Sequence, residues 1–167
     1  MSIAVRAERP DDVAAIRTVN LAAFPTPAEA DLVDRLRADD DLVLSLVAEP
    51  DGEIAGHVGF SRMNVDDKGL WHHAVALAPV AVLPARQRKG IGKALIEQGL
   101  QILKQRGETL AFVLGSHDYY GRFGFSLGEA EPFACAYAGP HFQLLRLSDG
   151  GPLSGRVQYA AAFASLG

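Results

Sequence analysis

The sequence predicts one α+β domain that spans residues 1–167. Three observations favour this fold class. Four segments of helical periodicity alternate with segments that have the period or the continuous apolar character of strands. These segments follow the order β-α-α-β-β-β-α-β-α-β, without an internal repeat or a linker. The length and a hydrophobic content of 49% are those of a domain with a sizeable buried core.

Five elements are predicted in the first part of the chain: strand 3–7, helices 10–24 and 28–39, and strands 42–48 and 54–60. Pro10, followed by two acids, is typical of a helix start, and Pro25 ends the same helix. The second helix presents Leu32 and Leu36 on one apolar face. The turn Pro50-Asp51-Gly52 predicts a hairpin between the two strands.

The remaining predicted elements are strand 73–83, helix 90–106, strand 109–114, a short helix 118–123, and strands that begin near 125, 142 and 156. Gly107 follows the long helix directly, as a glycine at the C′ position does. Residues 109–114 are continuously apolar, which indicates a buried strand. Residues 128–140 contain turn formers without a clear period and are predicted to form a loop.

Charge and cysteine content exclude several classes of protein. The formal net charge is −4, yet residues 84–106 carry six basic side chains against the single acid Glu97. A local positive patch on an acidic body favours a phosphate-bearing small molecule over nucleic acid or a membrane surface. Cys135 is the only cysteine, so we expect a cytoplasmic protein without an internal disulfide. The five histidines and this cysteine lack the spacing of metal ligands, so no metal is expected.

A glycine-containing stretch at the start of the long helix predicts an anion site. Gly90 and Gly92 would let backbone N–H groups face an anion at the helix N-terminus. A Walker loop would need glycine and serine or threonine where Gln87 and Ala94 stand. A dinucleotide fingerprint would need a glycine in place of Leu95. What remains is the pattern Gln-x-x-Gly-x-Gly, within "QRKGIGKAL".

The strand before this loop, "ALAPVAVLP", contains a proline that suggests the identity of the anion. Pro79 has no N–H and belongs at an edge or a bulge of a sheet. A bulge would splay the strand from its next neighbour and leave main-chain groups of Val80, Ala81 and Val82 unpaired. A ligand with an extended amide-bearing arm joined to a pyrophosphate suits both features, and coenzyme A is such a ligand.

Two motifs, "PVAVLPARQRKGIGKALI" and "LGSHDYYGRFGF", resemble the acyl-CoA and pyrophosphate segments of the GCN-five-related N-acetyltransferases (the GNAT family). The resemblance spans nearly the whole chain and is strongest to a short bacterial branch. It implies a mixed, mostly antiparallel sheet of about seven strands, flanked by helices and splayed at the fourth strand. It also implies acetyl-CoA as donor and transfer of the acetyl group to a primary amine by direct attack. Many members form homodimers, so a homodimer is an assembly that the resemblance allows.

The resemblance also indicates which residues would bind acetyl-CoA. Val80, Ala81 and Val82 would offer main-chain groups to the acetyl carbonyl and the pantetheine arm. The pyrophosphate would be held by a run of seven residues: Gln87, Arg88, Lys89, Gly90, Ile91, Gly92 and Lys93. Arg86 is a further candidate for neutralising phosphate charge.

Tyr120 is the predicted catalytic acid, because the resemblance places this tyrosine near the sulfur and a phenol is still protonated at neutral pH. The alternative is that Tyr119 and Tyr120 both pack in a short helix. No general base is identified, and His57, His72 and His73 are more readily explained as satisfied or solvated side chains.

Glu29 is a candidate on the acceptor side, since it lies in the region of the first two helices that borders the acceptor site of this fold. The sequence departs from many relatives at Gly115-Ser116-His117, where they have Gly-Asp-Pro. The acceptor itself stays open among small amines, amino acids, antibiotics and protein lysines. The acidic remainder of the chain weakly favours a cationic one.

Two functions other than acetyl transfer compete for the same residues. A serine hydrolase is excluded because Ser116, His117 and Asp118 are contiguous and cannot converge as a triad. The remaining alternative is a non-catalytic module that binds acyl-CoA as a sensor or an interaction domain, which the missing base leaves open.

Overall fold

The computed structural model describes residues 3–166, and a mixed sheet of eight strands forms its centre. The strands are β1 (Ala4–Ala7), β2 (Leu42–Glu49), β3 (Gly56–Asp67), β4 (Leu70–Val82), β5 (Leu110–Leu114), β6 (Phe133–Ala134), β7 (Phe142–Arg146) and β8 (Gly155–Gln158). Their order is β1-β2-β3-β4-β5-β7, and β8 pairs with the far half of β3 and with β6. Only the β4–β5 and β6–β8 pairs are parallel among the strands described.

Five α-helices accompany the sheet in the described part of the chain. They are α1 (Val13–Ala23), α2 (Ala28–Ala38), α3 (Ile91–Gln105), α4 (His117–Tyr120) and α5 (Leu127–Ala130). Short 3₁₀ turns occupy Pro10–Asp12, Pro84–Arg86, Gly121–Phe123 and Ala161–Leu166. The α+β class and the predicted α1, α2 and α3 are confirmed, with ends that differ by no more than three residues.

Between β5 and β7 the predicted short helix 118–123 is present as α4 and the 3₁₀ turn that follows it, but two other predicted elements differ. Eight strands replace the expected seven or so, and the strand predicted from Phe125 is a single bridge between Ser126 and Leu144. The predicted loop 128–140 contains the end of α5 and the two-residue β6. The Ser126 hydroxyl accepts a hydrogen bond from the Glu129 N–H at 3.1 Å and starts α5. This Ser-x-x-Glu pattern is a helix-start signal.

One face of the sheet packs against α3 at two glycines. A Cβ built on Gly99 would overlap the Phe60 ring, and one on Gly56 would lie 2.6 Å from the Ile91 side chain. The glycines therefore let α3 approach β3 closely. Leu95 and Ile96 fill the same interface and are fully buried. The helix is thereby fixed with its first turn beside the end of β4.

The other face of β3 carries a polar network that joins the sheet to α1 and α2. His57 is fully buried, with Nδ1 3.3 Å from the Asn20 amide and Nε2 2.9 Å from the Ser45 hydroxyl. The Ser45 hydroxyl donates to Glu8 at 2.6 Å, and Arg37 donates to both oxygens of Glu8 at 2.7 and 2.9 Å. His57 is thus a satisfied core histidine.

Burial lowers the pKa of His57 to about 4, despite the opposing effect of Glu8. Because an unfolded histidine titrates near 6.5, protons bind the unfolded chain first as the pH falls. We expect this group alone to remove about 3 kcal/mol of the free energy of unfolding between about pH 7.5 and pH 4. Denaturant unfolding of the wild type and of His57→Gln over this range measures the effect. Parallel pH profiles for the two proteins would contradict it.

Candidate active site at the opening of the sheet

The sheet opens between β4 and β5. The two strands pair only at Val75–Ala111 and Ala76–Phe112. Just beyond, the β3–β4 register shifts across the segment that holds the cis Ala78–Pro79 peptide. The predicted bulge and splay are confirmed. From Leu77 onward, β4 has β3 on one side and an opening on the other.

Hydrogen bonds to β3 fix the direction of the β4 main chain. Leu83 donates its N–H to the Ala55 carbonyl at 2.9 Å. Because successive residues of a strand direct their main-chain groups to opposite sides, Ala81 also faces β3. Val80 and Val82 therefore direct theirs into the opening. The sequence predicts unpaired groups on all three residues, but those of Ala81 are turned toward the neighbouring strand.

The loop from β4 to α3 has the conformation of an anion seat. Arg88 (φ 63°) and Gly90 (φ 85°) adopt the left-handed region, and α3 begins at Ile91 without a side-chain cap. The first N–H groups of an uncapped helix lack intrahelical partners and attract negative charge. The Gln87 side chain donates to the Val82 carbonyl at 3.1 Å, which ties the loop to the end of the strand.

A cavity of about 600 Å³, here called the loop cavity, lies beside this seat. Its lining residues are Ala23, Phe24, Val80, Val82, Gln87, Arg88, Gly90, Gly92, Lys93, Tyr119, Tyr120 and Arg122. Three of them are cationic and none is acidic. The described residues therefore make a site suited to an anionic group, with main-chain groups of Val80 and Val82 along one wall.

Tyr120, at the end of α4, forms part of the same wall. Its N–H donates to the Ser116 carbonyl at 2.9 Å, and its ring packs edge-on against Phe125. The ring also lies against the backbone of Gly115, where a Cβ would come within 2.5 Å of it. Burial, with a smaller effect of Tyr119, raises the pKa of Tyr120 to about 12. The phenol is therefore protonated and can donate a proton at neutral pH.

A second cavity of about 420 Å³, the Glu29 cavity, adjoins the first. It is lined by Phe24, Glu29, Leu32, Leu77, Ala78, Pro79, Val80, Leu114, Tyr120, Tyr137 and Phe163. Phe24, Val80 and Tyr120 line both cavities. The two spaces therefore meet at the bulge of β4 and at the tyrosine.

Not every residue predicted to bind acetyl-CoA lines the loop cavity. Ala81 and Ile91 are buried in the core, and Lys89 is exposed outside the described lining. Arg86 forms an ion pair with Asp51 instead of facing the cavity. The other seven predicted residues and Tyr120 line it.

Four lining residues of the loop cavity are missed by the sequence prediction: Ala23, Phe24, Tyr119 and Arg122. Ala23 is the last residue of α1 and Phe24 follows it, and nothing in the sequence connects them to β4. Tyr119 is interpreted as packing, yet its hydroxyl lies 3.1 Å from where a Cβ on Gly92 would stand. Arg122 places its guanidinium 5.0 Å from the centre of the Tyr119 ring. Its position within the motif "YYGRFGF" was a signal for a site residue.

The remaining candidates lie elsewhere. His57 belongs to the buried network, and His72 and His73 line neither cavity. The described residues hold no group of three or more His, Cys, Asp or Glu side chains suited to a metal ion. Among residues 3–166, no helix combines the length and apolar character needed to cross a membrane.

Comparison with known proteins identifies close relatives. The family model described as "Acetyltransferase (GNAT) family" matches residues 13–125. An Escherichia coli protein named "Uncharacterized N-acetyltransferase YhbS" is 35% identical over 165 residues, which cover 95% of this chain and 97% of the relative.

Two solved structures share both the fold and substantial sequence identity. A GNAT family acetyltransferase from Brucella melitensis, in complex with acetyl-CoA, superposes with a TM-score of 0.81 at 40% identity. The match covers 97% of this chain and 98% of that one. The E. coli YhbS structure, in complex with CoA, gives a TM-score of 0.90 at 34% identity and covers 99% and 93% of the two chains.

The raised pKa of Tyr120 is testable by ultraviolet titration of tyrosinate. In the native protein at about pH 11, the wild type and Tyr120→Phe should show the same tyrosinate absorbance, because Tyr120 does not yet ionise. After denaturation at the same pH, the wild type should show one tyrosinate more. A native wild type that already exceeds the variant near pH 10 would contradict the raised pKa of Tyr120.

Proposed function

The chain belongs to the acetyltransferase (GNAT) family, and from this premise we propose that it transfers the acetyl group of acetyl-CoA to a primary amine by direct attack. One observation carries the proposal: a cationic cavity and a second cavity meet at Val80 and Tyr120. A donor on one side and an acceptor on the other would react at these shared residues. We assign the activity to residues 1–167 as one domain. The lone cysteine supports a cytoplasmic location.

The residues of the loop cavity fit acetyl-CoA in charge and shape. Arg88, Lys93 and the uncapped N-terminus of α3 would hold the pyrophosphate. Val80 and the Val82 N–H would hold the amide-bearing arm through main-chain groups that face the opening, as one strand pairs with another; the Val82 carbonyl already accepts from Gln87. That the relatives from B. melitensis and E. coli bind acetyl-CoA and CoA supports the same donor here.

Acetyl-CoA supplies an activated thioester, and the chain supplies orientation and a proton. The Val80 N–H would donate to the thioester carbonyl oxygen, where negative charge develops. As the nitrogen–carbon bond forms and the carbon–sulfur bond breaks, the Tyr120 hydroxyl gives its proton to the departing sulfur. The acceptor attacks in its neutral form, after its ammonium group has released one proton to water. The further proton that the nitrogen loses on attack restores the Tyr120 hydroxyl, so that the protons balance.

Replacing Tyr120 with phenylalanine removes the hydroxyl and keeps the ring. We expect kcat to fall by about 10²-fold or more, because a positioned acid contributes this much, while the KM for acetyl-CoA changes little. Thiol release from acetyl-CoA in the presence of an amine acceptor measures both constants. Tyr159→Phe, at another half-buried tyrosine that lines neither cavity, is the matched control and should retain full activity.

An unchanged kcat in Tyr120→Phe would exclude Tyr120 as the acid. A wild-type protein that binds acetyl-CoA but releases no thiol with any amine would favour the sensor function instead.

A further inference from the structure

The carboxylate of Glu29 lacks a partner inside the Glu29 cavity. Its Oε1 atom is fully buried and accepts no hydrogen bond. No lysine or arginine is found among the described residues that line this cavity. A buried carboxylate oxygen without a donor is unfavourable, so a cationic or hydrogen-bonding group from outside the chain would complete it.

Three other buried or half-buried carboxylates are paired with an arginine. Glu8 is held by Arg37 at 2.7 Å, Asp12 by Arg6 at 2.7 Å, and Glu108 by Arg62 at 2.9 Å. On the same helix as Glu29, Asp31 pairs with an arginine of α1. Glu29, by contrast, has a buried carboxylate oxygen without a donor, and it lines a cavity.

The walls around Glu29 are apolar and partly aromatic. Leu32, Leu77 and Leu114 contribute aliphatic surface, and Phe24 and Phe163 contribute rings. Phe163 lies in the C-terminal 3₁₀ turn, which packs against α2. A cavity of about 420 Å³ with such walls accommodates a small molecule that carries one ring.

We propose that the acceptor is a small primary amine on an apolar, ring-sized body, whose ammonium group binds Glu29 and whose body fills the Glu29 cavity. This inference rests on the proposed function, since the same cavity must open onto the acetyl donor. The junction at Val80 and Tyr120 meets this requirement. The Glu29 carboxylate favours an acceptor with a positive charge, and the apolar walls favour one with an apolar body.

Three probes separate these two contributions. They are 2-phenylethylamine, its uncharged analogue 2-phenylethanol, and the polar amine 2-aminoethanol. Calorimetry measures the binding of each probe to the protein saturated with CoA, and thiol release from acetyl-CoA measures kcat/KM for the two amines. Binding to the CoA complex reports on the cavity even where turnover is slow.

We expect 2-phenylethylamine to bind at least about tenfold more tightly than either other probe. Glu29→Gln should weaken its binding and lower its kcat/KM by about tenfold, mainly through KM, and leave binding of 2-phenylethanol unchanged. Leu114→Asn, at a residue that is 41% exposed, should reduce the preference for the ring without unfolding the chain. Glu53→Gln, the same charge change at an exposed loop residue, is the control and should behave as the wild type.

Binding of acetyl-CoA is measured first, so that the two hypotheses fail separately. If the protein does not bind acetyl-CoA, both the proposed function and this inference are wrong. If the protein binds acetyl-CoA, two results would overturn the inference alone. In the first, 2-phenylethylamine binds no more tightly than the other probes. In the second, Glu29→Gln binds 2-phenylethylamine as tightly as the wild type does.

Discussion

The end of pairing between β4 and β5 is the constraint on which the site depends. Parallel pairing stops after Ala76 because the bulge at Ala78–Pro79 turns β4 away from β5. Beyond that point Val80 and Val82 present main-chain groups to an opening in place of a neighbouring strand. The cost of leaving such groups unpaired is avoided only where water or a ligand takes the place of the missing strand. An extended ligand with amide groups is therefore the natural occupant.

The two cavities beside the opening carry side chains of opposite charge. The loop cavity has Arg88, Lys93 and Arg122 without an acid, whereas the Glu29 cavity has one carboxylate without a base. Under the proposed assignment, an anionic donor and a cationic acceptor would approach opposite sides of the same bulge. Tyr120 lies between them with a hydroxyl that burial keeps protonated. The rest of the fold, including the glycine contacts of α3 and the His57 network, holds these walls in place.

The sequence predicted the parts of this site that depend on local chain chemistry. Pro79 has no N–H and glycine tolerates left-handed φ values, so both the bulge and the loop were recognisable from residue type alone. The Glu29 cavity was not, because its walls come from α2, β4, β5 and the C-terminal turn, which meet only in the folded chain. For the same reason β6, with two residues, escaped prediction: its pairing with β8 is non-local. Arg88 in a left-handed conformation is a further departure from what residue type suggests.

Thermal unfolding with and without acetyl-CoA tests the central claim most directly, with ATP as the control that carries phosphates and adenine without the pantetheine arm. At a hundredfold excess over its Kd, acetyl-CoA should add about 2.7 kcal/mol to the free energy of unfolding. For a chain of this length the midpoint should then rise by several degrees, and ATP should have little effect. No shift at saturating acetyl-CoA, or an equal shift with ATP, would contradict the assignment of the β4 strand and its loop as the donor site.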